Sequence, residues 1–191
     1  MPDLILASAS PRRRDLLQQL GLEFSIQVSN VDETVDVSLA PGLLVESLAR
    51  QKAEHVAGMV KTGIVIGADT VVVQDDSILG KPAGPEEAAA MLRRLSGTSH
   101  RVITGVALID AATGRERVEH EVTTVRFREL QNREIANYIA SGEPADKAGA
   151  YAIQGLGSVF VLGIEGCYFN VVGLPVARLA GMLKDFGITV L

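Results

Sequence analysis

The sequence predicts a mixed α/β fold, and two observations carry that prediction. Segments with the apolar spacing of amphipathic helices alternate with short β-rich apolar runs, the order expected of a sheet with helices laid on it. Several neighbouring β-rich runs are separated only by turn residues, such as Asp75-Asp76 and Thr113-Gly114, which leaves no room for a helical crossover. Strands joined that tightly run antiparallel, so the sheet is mixed rather than purely parallel. The 191 residues are enough to bury a real core and are read as one domain, 1–191.

The elements follow in order. Leu4-Ile5-Leu6-Ala7 reads as a short buried strand. Ser10 is a helix N-cap candidate, and Pro11 suits the first helical position, where its missing N–H costs nothing. Leu16, Leu17 and Leu20 share one helical face, and Gly21 is placed to end that helix in a left-handed conformation. Residues 23–29 form a second strand, followed by the acidic pair Asp32-Glu33. A strong helix covers 43–59, with Val45, Leu48, Ala49, Ala53 and Val56 on one face. Ile64-Val65-Ile66 and Val71-Val72-Val73 are β-rich, and a hairpin at Asp75-Asp76 returns the chain through Ser77-Ile78-Leu79 to Gly80-Lys81-Pro82. A helix starts near Pro85, with Glu86 and Glu87 early, Arg93 and Arg94 late, and Gly97 beyond its end. Strands at 101–109 and 118–127 come next, then a helix over 133–140 that stops at Gly142, before Pro144. A glycine-rich stretch over 147–157, a hairpin turning at Glu165-Gly166 and a last helix over 176–186 complete the chain.

Composition removes several function classes. The net charge of −5 argues against a non-specific nucleic-acid binder. The lone Cys167 can form neither an internal disulfide nor a cysteine-based metal site, which fits a reducing compartment. The first residues lack the basic and long apolar regions of a signal peptide, and no run approaches the ~20 apolar residues of a membrane span. The expected location is the cytoplasm.

Misplaced charges point to the chemistry. Arg12, Arg13 and Arg14 occupy the first turn of a helix, where the dipole is already positive and each cation costs a few tenths of a kcal/mol to about 1. The helix from Pro85 obeys the dipole, so the first helix breaks a rule that this chain otherwise keeps. Backbone N–H groups, the hydroxyls of Ser8 and Ser10 and clustered guanidiniums would suit a phosphate chain. The plainer alternative is three solvated arginines; side chains ~100° apart oblige at least one to face water. Asp69-Thr70 interrupts an apolar segment. A carboxylate at the end of a buried strand is costly unless paired or bound to a cation, although a satisfied turn aspartate beside Gly67 would also account for it. Lys52 lies near the centre of an apolar helix face, where it either snorkels to water or projects into a cleft beside an anion. Lys81, between Gly80 and Pro82, and Lys147, after Asp146, are further cationic candidates.

Together, cations (Arg12, Arg13, Lys52, Lys81, Lys147) and carboxylates (Glu33, Asp69) at element ends match the needs of polyphosphate chemistry. A hard divalent cation, Mg²⁺ or Mn²⁺, takes one or two carboxylates plus substrate oxygens and needs no histidine or cysteine cluster. Other machinery is missing. There is no Gly-x4-Gly-Lys-[Ser/Thr] loop, Gly155-Leu156-Gly157 lacks the third glycine of a dinucleotide fingerprint, and no Gly-x-Ser-x-Gly elbow occurs. His55, His100 and His120 have no metal-ligand spacing and read as surface or packing residues.

The ordered set Ser8-Ala9-Ser10-Pro11-Arg12-Arg13, Asp32-Glu33, Gln51-Lys52-Ala53, Gly67-Ala68-Asp69-Thr70, Gly80-Lys81-Pro82 and Thr104-Gly105-Val106 resembles the Maf family of nucleoside triphosphate pyrophosphatases. The motifs from Ser141-Gly142-Glu143-Pro144 through Asp146-Lys147-Ala148-Gly149-Ala150-Tyr151, Ile153-Gln154-Gly155 and Val172-Gly173-Leu174-Pro175 extend the match from end to end. The resemblance implies an elongated mixed sheet flanked by helices, in two lobes with an active-site cleft between them. It implies metal-dependent cleavage of a nucleoside triphosphate between the α and β phosphates. Carried onto matching positions, Asp69 is the catalytic carboxylate, as proton acceptor or metal ligand, and Glu33 assists at the metal. Lys52 and Lys81 neutralise the phosphate chain, and Ser8, Arg12, Arg13, Thr70, Lys147 and Gln154 contact substrate. Arg12, Thr70 and Gln154 match the branch acting on dTTP and UTP; the branch preferring 7-methyl-GTP tends to have Trp, Gln and Glu there. A neutral amide donates and accepts, which suits the carbonyl and imide edge of a pyrimidine. The expected partners are the triphosphate substrate, no nucleic acid and no membrane, with a homodimer as a plausible assembly. Two competing functions are a nucleotide-binding regulator of division or septum formation and the same hydrolysis on a modified purine triphosphate. Retention of both Asp69 and Glu33 favours the enzyme.

Overall fold

The computed structural model describes residues 3–191 except 33 and 37. Its strands are β1 (Leu4–Leu6), β2 (Phe24–Ile26), β3 (Ile64–Gln74), β4 (Ser77–Leu79), β5 (Ser99–Asp110), β6 (Glu116–Phe127) and β7 (Val161–Glu165). Its helices are α1 (Pro11–Gln19), α2 (Pro41–Ala57), α3 (Pro85–Leu95), α4 (Asn132–Ala140), α5 (Tyr168–Val172) and α6 (Val176–Lys184). Short 3₁₀ turns cover Glu143–Asp146, Ala148–Ala150 and Gly155–Phe160; the second lies within the glycine-rich stretch 147–157, the third overlaps its end and the first precedes it. The fold is mixed α/β. The strands lie in the order β2-β1-β3-β5-β6-β7, with β4 paired to β3. β1 runs parallel to β2 and to β3. β3–β4 and β6–β7 are antiparallel.

By its internal contacts the chain divides into two compact units. One comprises Met1–Asp69, Thr104–Glu121 and Gly173–Leu191; the other comprises Thr70–Ile103 and Val122–Val172. The divisions fall inside β3, β5 and β6, so each unit takes part of three long strands. The core of the first unit buries Ile5, Ala7, Ala49, Ala53, Val56, Val65, Ala107 and Ile109. Two glycines set how closely α2 lies on the sheet. A Cβ on Gly67 would stand 2.2 Å from the Ala49 carbonyl oxygen, and one on Gly105 would stand 2.3 Å from that of Val45. Only glycine permits backbone to approach backbone that closely. The second unit has an aromatic core. Phe127 and Tyr151 meet edge-on at 4.7 Å, Tyr138 and Phe160 at 4.9 Å, and His100 packs edge-on against Phe127 at 4.9 Å.

The structure departs from three sequence expectations. The runs at 64–66 and 71–73 belong to one strand, so Asp69 and Thr70 sit inside β3 rather than at a strand end. Gly67 and Ala68 are small enough to continue the strand beneath α2, and Asp69 finds a partner there. The second strand is three residues long rather than seven, since the chain turns polar soon after Ile26. The Glu165-Gly166 turn leads into α5 instead of a returning strand. Asn170 on that helix is fully buried and donates to the Val102 carbonyl and the Thr123 hydroxyl, at 3.0 and 2.9 Å. Those bonds dock the segment by side chain, where a strand would have used its backbone. The Asp75-Asp76 turn is as expected, with φ of 45° and 60°, the left-handed pair that a two-residue hairpin requires. Among the described residues no helix is long and apolar enough to cross a membrane.

Candidate active site

Asp69 owes its surroundings to strand periodicity. It lies two residues beyond Gly67 and so shares the face of β3 that α2 covers, while Thr70 faces the opposite side. Lys52 precedes Ala53, whose backbone nitrogen lies within 2.9 Å of the space that a Gly67 side chain would fill. The lysine therefore reaches along the sheet to the next residue on that face. Its Nζ donates to Asp69 Oδ1 at 2.5 Å, and the two side chains are 16% and 17% exposed. This answers both questions left open by the sequence: Lys52 does not snorkel to open water, and Asp69 is not a turn aspartate. A mostly desolvated pair of this kind costs about 3–5 kcal/mol if one partner is removed.

The loop after β1 is organised by Ser8 and Arg13. The Ser8 hydroxyl, 9% exposed, accepts from the Ser10 backbone N–H and from Arg13 Nη1, both at 3.2 Å. Arg13 Nε donates to the carbonyl of Gly173 at 2.9 Å. Ser10 occupies the N-cap position with extended backbone, but its side chain makes no capping bond; its own N–H is taken by the Ser8 hydroxyl. Arg14 is exposed and paired with Asp15, the solvated member that helical geometry demanded. Arg12 is half-buried. Gly21 ends α1 at φ +68°, as expected.

In the second unit Lys81 is exposed and follows Gly80, whose carbonyl accepts the N–H of Gly149 at 3.0 Å. That bond ties the chain beside Lys81 to the turn that begins next to Lys147. The Lys147 side chain is only 14% exposed and is ion-paired with Asp146. Gln154 is exposed, with extended backbone (φ −92°, ψ 155°), at the start of the 155–160 turn. Thr70 is half-buried. Glu33, the second expected carboxylate, lies outside the described residues.

Sequence reasoning gave no role to two groups that the geometry makes prominent. The Gly173 carbonyl holds Arg13, and Glu143 accepts from the Tyr138 hydroxyl and from the N–H groups of Leu156 and Gly157, at 2.9, 3.0 and 3.0 Å. Burial pushes the Glu143 carboxyl pKa up, but those two N–H groups, the hydroxyl and the Lys147 charge outweigh it and leave it below the usual range. Both groups fall in motifs that carry the family resemblance, Gly173-Leu174-Pro175 and Gly142-Glu143-Pro144. Nothing in either spacing shows what the residue touches. Of the histidines, His100 is buried with Nε2 2.8 Å from the Tyr151 hydroxyl, and His120 Nδ1 is 2.7 Å from Glu46.

The first unit thus holds a largely buried Lys52–Asp69 pair between α2 and β3 and a Ser8–Arg13 cluster at the start of α1. The family of Maf-like proteins matches residues 3–186, and the chain belongs to the Maf family. It is similar to the dTTP/UTP pyrophosphatase of Pelotomaculum thermopropionicum, 59% identical over 191 residues and covering 100% of both chains. The dTTP/UTP pyrophosphatase of Desulforamulus reducens is 54% identical over 190 residues, again covering 100% of both. That of Moorella thermoacetica is 53% identical, over 100% of this chain and 98% of the relative. Among solved structures, the Staphylococcus aureus Ham1 protein aligns over 96% of this chain and 98% of its own at 11% identity and a TM-score of 0.46. A likeness that distant carries no functional weight.

Proposed function

We propose that this protein hydrolyses dTTP and UTP between the α and β phosphates, releasing the nucleoside monophosphate and pyrophosphate. The observation that carries the reading is the full-length 59% identity to a dTTP/UTP pyrophosphatase, in a chain that pairs Lys52 with Asp69. In this reading a P–O bond forms to the water oxygen, the bridging P–O bond breaks, and pyrophosphate leaves with the bonding pair. Asp69 accepts the water proton at its carboxylate. Lys52 orients Asp69 and adds positive charge beside the phosphate chain, and Lys81 supplies a second cation. Ser8, Arg12, Arg13 and Lys147 hold phosphate oxygens, with the Arg13 fork steadied by Gly173. Thr70 and Gln154 contact the nucleoside, where the Gln154 amide meets the carbonyl and imide edge of the pyrimidine.

The donor chemistry fits a hard divalent cation, Mg²⁺ or Mn²⁺. Among the described residues no group of three or more His, Cys, Asp or Glu could hold a metal ion unaided. A cation completed by substrate oxygens needs only one or two protein carboxylates. Asp69 supplies one, and Glu33 is the second in this proposal. Such an ion, when bound, offsets charge on the phosphates and makes a water more acidic. The remainder of the proposal is that residues 1–191 act as one nucleotide-handling domain in the cytoplasm, on free triphosphates rather than nucleic acid.

The test is pyrophosphate release from dTTP, UTP, CTP, GTP and 7-methyl-GTP with Mg²⁺ or Mn²⁺ and with chelator. Release from dTTP and UTP that leaves monophosphates and stops with chelator is the expected result. Tight binding without release from any nucleotide would make the protein a regulator instead, and preference for 7-methyl-GTP would move it to the purine branch.

A further inference from the structure

Gln154 lies in a segment, residues 151–154, that belongs to no strand or helix. The segment is held by side chains. The Tyr138 hydroxyl accepts the N–H of Ala152 at 3.1 Å and donates to Glu143 Oε1. The Glu143 carboxylate also accepts the N–H groups of Leu156 and Gly157. The bonded amides therefore bracket Gln154 on both sides, two residues before it and two and three after. The fit is close. A Cβ on Gly155, whose φ is +77°, would stand 2.6 Å from Glu143 Oε2, and one on Gly157 would stand 2.7 Å from the Tyr138 hydroxyl. Tyr138 is itself fixed, being 4% exposed with its ring edge-on to Phe160.

We infer that Glu143, braced by Tyr138, is a positioning residue for base selection, holding the 152–157 segment so that the Gln154 amide is presented in one orientation. The inference rests on the proposed role of Gln154 in reading the base. A carboxylate is the group the site requires. Two N–H groups and a hydroxyl all converge on Glu143 as donors, and an ionised carboxylate offers only acceptors. Glutamine of the same shape would point an N–H at one of those donors and open the bracket. The Lys147 charge, which also stabilises the carboxylate, places this brace beside a second proposed substrate contact.

The experiment compares the unmutated protein with Glu143→Gln, Tyr138→Phe, Gln154→Ala and the Glu143→Gln/Gln154→Ala double variant. Each is assayed for kcat and KM on dTTP and GTP and for amide hydrogen exchange. Glu143→Gln is expected to lower the dTTP-over-GTP ratio of kcat/KM by about tenfold or more, mainly through KM for dTTP. Exchange at Leu156 and Gly157 should quicken while β5 amides stay protected. The double variant should be no less selective than Gln154→Ala alone, since the brace has nothing left to aim. Tyr138→Phe keeps the packing and should shift the ratio in the same direction by a smaller factor. An unchanged ratio, unchanged exchange, or losses that add in the double variant would overturn the inference with the reaction intact. If the unmutated protein turned over no triphosphate, the proposed function would fail instead, and the exchange comparison would still decide whether Glu143 holds the segment.

Discussion

The two units secure their candidate site residues by different means. In the first, Asp69 and Lys52 belong to β3 and α2, whose backbones touch at Gly67, while Gly105 of β5 meets the same helix at Val45, so their spacing follows from main-chain packing. In the second, Gln154 sits between 3₁₀ turns and depends on the side chains of Glu143 and Tyr138. A contact set by packed backbones changes only if the core changes. A segment set by three or four hydrogen bonds can be re-aimed by one substitution. Under the proposed function this difference divides the labour: the pair proposed to react is fixed, and the segment proposed to read the base is tunable.

The comparison breaks most readily at Gly67. Gly67→Ala would put a methyl group 2.2 Å from the Ala49 carbonyl oxygen, and α2 must lift to admit it. The expected loss is about 3 kcal/mol of stability, read by urea unfolding, with turnover falling in parallel as Lys52 is drawn from Asp69. Normal stability and turnover would show that the close approach of α2 does not set the pair.

The second unit is sharpened by acid. His100 is 2% exposed, and burial pushes its imidazole down from the usual 6.5 to about 4. Between those values the unfolded chain takes up a proton that the native protein refuses. Stability contributed by neutral His100 is therefore present above pH 6.5 and falls as the pH drops toward 4, by at most about 3 kcal/mol. Unfolding free energies at pH 7 and 4.5 should show a larger drop for the unmutated protein than for His100→Gln. Equal drops would remove His100 as the source.

Much of this was legible in the sequence because charge stood out against apolar periodicity. Lys52 on an apolar helix face and Asp69 within an apolar run each violate a local expectation, and the structure resolves both by pairing them. The Asp75-Asp76 hairpin was legible because two residues that tolerate positive φ stand together. Other features were not legible, for physical reasons. A turn signal such as Glu165-Gly166 says that the chain reverses, not that a strand comes next; burial of Asn170 decided for a helix. Ser10 has the right residue type for a cap, but its side chain makes no capping bond, and its N–H is turned back to the Ser8 hydroxyl. Glu143, in a Gly-Glu-Pro turn, looks like any exposed loop acid, and its importance comes from amides 13 and 14 residues away.

The Lys52–Asp69 pair is the centre of the proposed chemistry, and Asp69→Asn tests it most directly. Asparagine keeps the size of the side chain and an acceptor for Lys52 but is a far poorer proton acceptor. Pyrophosphate release from dTTP should fall by about 10³-fold or more; the melting temperature should drop because Lys52 loses its counter-charge, with the protein still folded at the assay temperature and dTTP binding largely retained. A folded Asp69→Asn protein with near-normal turnover would contradict the proposal and take that carboxylate out of the reaction.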